Sequence, residues 1–205
     1  MRTLLVAIVL LLGFSSAFAQ QSSKTPTSQA RTPASLATGT LANNIYRNPE
    51  LGINYKVLFG WVDRTAQTRG EPDASSNGQV LLAVFERPPE ASGDSINSAV
   101  IIAAESISSY PDVKTAADYF ELLTQATNSQ GLKVVNEPYR ATVGGRSLVR
   151  GDFSKEMEKL TMYQSSLVML SKGFAVSFTF IGSSEDEIEK LIERLSFTSF
   201  ANIKH

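Results

Sequence analysis

The chain has 205 residues, with 19 basic and 20 acidic side chains and a formal net charge of −1 at pH 7. This balance leaves no basic excess for a nucleic acid or an anionic membrane surface, so we predict neither as a partner. The chain has no cysteine, which excludes disulfides, thiol nucleophiles, thiolate zinc sites and iron–sulfur clusters.

The first 19 residues have the pattern of a secretory signal peptide. Arg2 precedes an apolar run at residues 4–14, and residues 17–19 form a small-residue cleavage pattern. The run is shorter than the about 20 residues that a membrane-spanning helix needs. We therefore predict cleavage after Ala19 and a secreted or periplasmic protein with no stable membrane insertion.

Composition divides the remainder into a linker and one domain. Residues 20–44 are rich in Gln, Ser, Thr, Ala and Pro and have almost no large apolar groups. Such a segment cannot bury enough surface to offset the entropy of ordering, so we predict a flexible polar linker. Residues 45–205 are long enough to form a single domain with a well-buried core.

The first half of this domain contains several predicted strands. Two short strands flank a turn at Asn48-Pro49, and the second places Ile53, Tyr55 and Val57 on one face. Residues 65–78 are polar and are predicted to form a loop. Residues 79–86 and 99–104 are apolar on both faces, which is typical of central strands that need cover on both sides.

A helix and a hairpin follow. Thr115 and Asp118 have the spacing of a capping box at the start of a helix that ends at Gly131. Residues 132–135 are predicted to form a strand that Pro138 interrupts. Gly144-Gly145 then provides the positive φ angles of a tight hairpin turn.

Residues 160–200 read as strand, turn, strand and capped helix. The returning strand alternates large and small side chains, which places four apolar groups on one face: Phe174, Val176, Phe178 and Phe180. A second capping box is predicted at residues 184–187, and the helix after it has an apolar stripe that could cover this face. We predict an α+β fold, with a mostly antiparallel sheet flanked by helices on both faces.

The order of three motifs resembles PsbP-like and Mog-type domains. These motifs are residues 46–55 with Trp61, the Gly144-Gly145-Arg146 hairpin after a capped helix, and a final aromatic strand followed by an amphipathic helix. The resemblance implies an antiparallel sheet sandwiched by helices, in a group of mostly non-enzymatic accessory or partner-binding proteins. Plant PsbP assists the oxygen-evolving complex of photosystem II, and Mog binds a small GTPase. No binding residue is carried over from either.

The sequence offers little for catalysis. His205 is the only histidine and the last residue, where a fraying terminus cannot hold an imidazole in place. Ser171-Lys172 lie in a hairpin turn, and neighbouring strand residues point to opposite faces. Asp152, Glu156 and Glu158 alternate with lysines, as in a solvated hairpin end. We predict no catalytic residue, no metal ligand and no cofactor, and we discount Arg150-Gly151-Asp152 as an adhesion tripeptide.

Polar and aromatic groups in two loops, residues 63–72 and 108–112, and the separate Trp61 remain as candidates for recognition. They are Trp61, Asp63, Arg64, Arg69 and Tyr110. A core anchor is the structural alternative for Trp61, and a plain solvated loop for the others. The favoured hypothesis is a non-catalytic domain that binds an envelope protein or a small ligand of unknown identity. A serine- or carboxylate-dependent hydrolase and a structural envelope component are the alternatives.

Overall fold

The computed structural model describes residues 36–69, 78–91 and 93–198. Outside these ranges lie the predicted signal peptide, residues 20–35 of the predicted linker, residues 70–77 of the predicted polar loop and His205. In the described residues the chain forms two antiparallel sheets and three helices, which confirms the predicted α+β class. Among these residues no helix has the length and apolar character needed to cross a bilayer.

The four-stranded sheet contains, in spatial order, β1 (Thr40–Ala42), β2 (Ile45–Asn48), β3 (Ile53–Lys56) and β11 (Leu195–Phe197). The seven-stranded sheet contains, in spatial order, β4 (Val62–Asp63), β5 (Gly78–Phe85), β6 (Ala99–Ser106), β10 (Phe174–Gly182), β9 (Leu160–Ser171), β8 (Arg146–Met157) and β7 (Lys133–Val143). The helices are α1 (Thr65–Arg69), α2 (Ala116–Ser129) and α3 (Glu185–Ile192).

The two faces of the large sheet are covered by different elements. On one face α2 packs Tyr119, Phe120 and Leu123 against Phe153 of β8 and Val168 of β9. On the other face the apolar side of β10 meets α3 and the small sheet in one core, as the alternation in β10 predicts. The members of this core include Tyr46, Ile53, Tyr55, Val176, Phe178, Phe180, Ile188, Leu191 and Ile192.

The small sheet is a correction to the predicted single sheet. Its last strand, β11, follows α3 and pairs with β3, with Leu195 opposite Tyr55 and Phe197 opposite Ile53. Only three residues long, β11 has too few positions for an alternation pattern to identify it in the sequence. The apolar faces of these short strands are buried because they form part of the cover of the large sheet.

The predicted linker extends too far, because its last nine residues, 36–44, belong to the folded domain. Leu36 is 3% exposed and lies in the core, and β1 follows it. The buried Asn48 amide donates to the carbonyl of Ala37 at 2.8 Å, and the Tyr46 hydroxyl donates to the carbonyl of Thr38 at 2.8 Å. Residues 36–44 are therefore held by partners on β2, which their own polar composition does not reveal.

Two local predictions also need correction. The polar stretch predicted as a loop contains α1, and Asp63 Oδ1 accepts from the Thr65 backbone N–H at 2.8 Å where this helix begins. Pro138 does not interrupt β7, which runs on with register shifts on either side of Asn136. A proline is tolerated there because β7 is an outer strand, whose free side needs no N–H donor.

The two helix starts differ in one respect. The predicted box of α2 is confirmed, since Thr115 Oγ1 accepts from the Asp118 N–H and Asp118 Oδ2 from the Thr115 N–H. At α3, Ser184 Oγ accepts from the Glu187 N–H as predicted. The Glu187 carboxylate, however, bonds the N–H and hydroxyl of Ser183 and the hydroxyl of Ser98. These bonds are 2.8, 2.7 and 2.5 Å long and tie α3 to the start of β6.

Glu187 is expected to make stability depend on acid pH. Burial raises the pKa of this carboxyl, but the hydrogen bonds from Ser98 and Ser183 outweigh that effect and hold it below the ordinary value of 4.5. Its contribution is therefore present above about pH 4.5 and is lost as the pH falls through the lower folded pKa. The free energies of unfolding of the wild type and Glu187→Gln should differ most at neutral pH and converge in acid. Urea denaturation between neutral and acid pH measures this difference.

Glu185→Gln is the matched control, because Glu185 stands in the same first turn and has no hydrogen-bond partner among the described residues. Both changes remove one negative charge from the helix start, so both lose a favourable interaction with the helix dipole. A Glu187→Gln difference that stays constant with pH, or equals that of Glu185→Gln, would contradict the expectation.

Candidate functional site

A cleft of about 180 Å³ lies where β7, β8 and β9 meet the first turns of α3. Its polar lining comes from Asn136, Tyr139, Arg150, Asp152, Tyr163, Gln164, Glu185 and Glu189. The cleft is thus built on three strands and a helix, whereas the sequence suggested loops as the place of recognition.

Strand alternation and helical spacing bring these groups together. Arg150 and Asp152 are two residues apart on β8 and project from the same face. On the edge strand, Tyr139 stands opposite Arg150 and Asn136 opposite Asp152. Glu185 and Glu189 are four residues apart on α3, so they lie on one side of the helix.

Arg150 is at the centre of the cleft. Its Nε lies 2.9 Å from Asp152 Oδ1 and its Nη2 lies 2.5 Å from Glu189 Oε1. The guanidinium carbon is 5.9 Å from the centroid of the Tyr139 ring, and the Tyr139 hydroxyl is 3.4 Å from Asp152 Oδ2. These contacts hold a largely buried cation in one position, with 12% of its side chain exposed.

The ionisation of this cluster follows from its contacts. Burial lowers the pKa of Arg150, but the hydrogen bonds and charges of Glu189 and Asp152 outweigh burial and keep it above its ordinary value. Burial and the neighbouring Asp152 charge raise the pKa of Tyr139. Arg150 is therefore a permanent cation and Tyr139 a neutral phenol at neutral pH.

Replacing Arg150 by alanine is expected to lower the free energy of unfolding by about 2 kcal/mol, because Asp152, only 17% exposed, loses its charged partner. Glu189→Gln should cost under about 1 kcal/mol, since Glu189 is 52% exposed and solvent replaces the lost contact. Chemical denaturation measures both changes. Equal losses of stability for the two variants would contradict the view that the buried Arg150–Asp152 pair stabilises the cluster more than the exposed Glu189 does.

Three of the five predicted binding residues lie along the outer side of β5, away from the cleft. Asp63 Oδ1 accepts from the hydroxyl and N–H of Thr65 at 2.6 and 2.8 Å. Arg64 Nη2 lies 2.8 Å from Glu90 Oε1. Arg69 donates from Nε and Nη2 to the carbonyl of Val80, at 3.2 and 3.0 Å. Each makes a local contact that helps to hold α1 or its neighbouring loops against the sheet.

The other two predicted residues are also separate from the cleft. Trp61 is half-buried and packs against the core between the sheets. The Tyr110 hydroxyl donates to Glu105 Oε2 at 2.8 Å, and its ring meets Tyr119 edge-on with centroids 6.0 Å apart. Burial and this bond to Glu105 raise the pKa of Tyr110. The structure does not bring the five predicted residues together.

Sequence reasoning missed the residues that form the cleft. The sequence pattern assigns Asp152 to a solvated hairpin end with Glu156 and Glu158, yet only 17% of its side chain is exposed. A usable signal was the alternation in β8, which places Arg150 and Asp152 on the same face as the buried Leu148. Charged groups on the inner face of a strand need partners, and that requirement points to a charged site.

Comparisons with known proteins address the fold. No family model matches the chain, and no curated protein matches it. Among solved structures, the cyanobacterial PsbP of Synechocystis has a TM-score of 0.47 and 18% identity, over 78% of this chain and 95% of that chain. LpqN of Mycobacterium tuberculosis, involved in cell envelope biogenesis, has a TM-score of 0.40 and 17% identity, over 71% and 83%.

A protein of unknown function from Pseudomonas aeruginosa has a TM-score of 0.40 and 16% identity, over 58% of this chain and 78% of that chain. The solved structures similar to this chain thus include a PsbP protein, as the resemblance in the sequence predicts. None of these three is a Mog-type protein. The likeness concerns the fold alone.

Proposed function

We propose that this protein is a non-catalytic binding domain of the secreted or periplasmic compartment, which recognises a partner protein or a small ligand at the cleft. The observation that carries this proposal is the position of the cleft beside an exposed edge strand. Groups suited to recognition, namely a fixed guanidinium, carboxylates and a tyrosine ring, stand there on a rigid scaffold.

The edge strand β7 supports recognition by side chains. Residues 133–140 are all exposed, and they include large apolar groups that the core does not use: Val134, Val135 and Tyr139, each about 40% exposed. Pro138, the two register shifts and the charges of Lys133, Glu137 and Arg140 oppose indiscriminate strand pairing along this edge. A partner would therefore be selected by its side chains.

The size of the cleft limits what can enter. Pockets for drug-sized ligands are about 300–1,000 Å³, whereas this cleft is about 180 Å³. One small chemical group fits such a volume, either a side chain of a partner or a small molecule. The proposal therefore favours a recognition site over a cofactor or large-metabolite site.

Site-specific photocrosslinking tests the proposal. A photoreactive phenylalanine analogue at Tyr139 should give a discrete crosslinked product in envelope extracts. The same analogue at Phe59, which is 94% exposed on the turn between β3 and β4, should not give that product. Glu189→Lys, which reverses a charge at the cleft rim, should abolish the product. Identical products at both positions would contradict the proposal, and labelling of one serine by a fluorophosphonate would favour the hydrolase.

The compartment is tested separately. The signal pattern in residues 1–19 supports export, so the protein expressed in a bacterial host should appear in the periplasmic or secreted fraction without those residues. Mass spectrometry of its N-terminus measures the cleavage site expected after Ala19. An intact chain confined to the cytosol would contradict the proposed compartment.

A further inference from the structure

We infer that the cleft binds a cationic group, a guanidinium or an ammonium, carried by a small amine or by a basic side chain of a partner. This inference rests on the proposed function and specifies its ligand. It follows from the charge of the lining, from the contacts that Arg150 already makes, and from the aromatic ring and the size of the cavity.

The lining carries more negative than positive charge. Asp152, Glu185 and Glu189 are acidic, whereas Arg150 is the one cation among the lining residues. Glu185 has no hydrogen-bond partner within the described part of the chain. The acidic first turn of α3 also offsets the positive end of its helix dipole, which would otherwise favour an anion. An incoming cation gains attraction here and an incoming anion meets repulsion.

The charge of Arg150 is already paired with carboxylates of the protein itself. Its guanidinium pairs with Asp152 on one side and with Glu189 on the other, and it faces the Tyr139 ring. An anionic ligand would have to compete with two carboxylates for it. The same contacts show that these carboxylates and this ring accept a guanidinium. Glu189 is 52% exposed, and a carboxylate has lone pairs enough to accept from a second donor.

The remaining walls suit a cation with a short apolar stem. Tyr139 and Tyr163 line the cleft, and an aromatic face attracts a cation within about 6 Å of its centroid. Val135 and Ile188 provide apolar surface on which methylene groups can pack. The volume of about 180 Å³ accommodates one such group and not an extended ligand.

Amide chemical shifts of the labelled protein, recorded during titrations, test the inference. The probes are n-butylguanidinium, n-butylammonium, n-butanol and butyrate, which share a stem and differ in charge. Two capped tripeptides, Gly-Arg-Gly and Gly-Gln-Gly, test a side chain as the source. We expect the cations to shift the amides of Asn136, Tyr139, Glu185 and Glu189. Weaker or absent shifts are expected with butanol, butyrate and the glutamine peptide.

The variant Glu185→Gln should weaken cation binding about threefold, the size of a partly screened ion pair. Asp186→Asn is the matched control, because Asp186 lies in the same helical turn, is exposed and does not line the cleft. Its affinity should equal that of the wild type. Both variants remove one charge near the helix start, so a general change in the dipole would affect both equally.

Each result decides a separate point. Cation shifts that weaken only in Glu185→Gln support the inference, and preference for the free amine or for the arginine peptide identifies the source. If butyrate or butanol binds at the same amides as tightly as the cations do, the ligand is not selected for positive charge and the inference is overturned. The proposed function still stands in that case. Absence of cleft shifts with every probe overturns the inference, while crosslinking at Tyr139 decides the function independently.

Discussion

Replacing Gly151 by valine is expected to lower the free energy of unfolding by about 3 kcal/mol, because β8 and α2 meet there with no room for a side chain. A Cβ atom at Gly151 would lie 2.7 Å from Cε1 and Cζ of Phe120. The Phe120 ring cannot easily withdraw, since it is fully buried and stacks on Phe153 with centroids 6.3 Å apart and planes 12° apart. Chemical denaturation measures the loss.

A second substitution tests the cause. Phe120→Leu removes the ring that the valine would meet, so the double variant should be more stable than the sum of the two single losses implies, by about 1 kcal/mol or more. Ser147→Val is the control, since it places the same side chain at an exposed position of β8. Additive losses in the double variant, or an equal loss in Ser147→Val, would contradict a steric origin.

Phe178→Ala is expected to cost about 4 kcal/mol, since it leaves a cavity at the centre of the core between the sheets. Phe178 is fully buried and stands between Ile102 of β6 and Leu167 of β9. Its ring also meets Phe197 of the small sheet edge-on, with centroids 5.9 Å apart. The truncation should therefore loosen the small sheet as well as the large one, which amide hydrogen exchange in β3 and β11 measures.

Phe174→Ala is the matched control on the same strand and the same face. Phe174 is half-buried next to the hairpin turn, so its truncation should cost about 1 kcal/mol and leave exchange in β11 unchanged. If the two variants lost equal stability, Phe178 would have no special part in joining the sheets. Faster exchange in the large sheet alone would show that the small sheet is held by other contacts.

Elements with local causes could be predicted from the amino-acid sequence. The alternation in β10 identified its buried face, and the apolar stripe of α3 identified the helix that covers it. The spacing of Thr115 and Asp118 located the start of α2. Periodicity, capping and turn chemistry act over a few residues, so a reading of neighbouring positions finds them.

The contacts between distant groups became visible in the folded chain. Asn48 of β2 holds Ala37, and β3 pairs both with β2 and with the three-residue β11 from the other end of the described chain. The cleft combines Tyr139, Arg150 and Glu189, which belong to three separate elements. A single sequence records each residue's type and local period but not the pairing of strands across the fold. The loop residues selected by composition were therefore dispersed, and the charged cluster on β8 and α3 emerged from long-range packing alone.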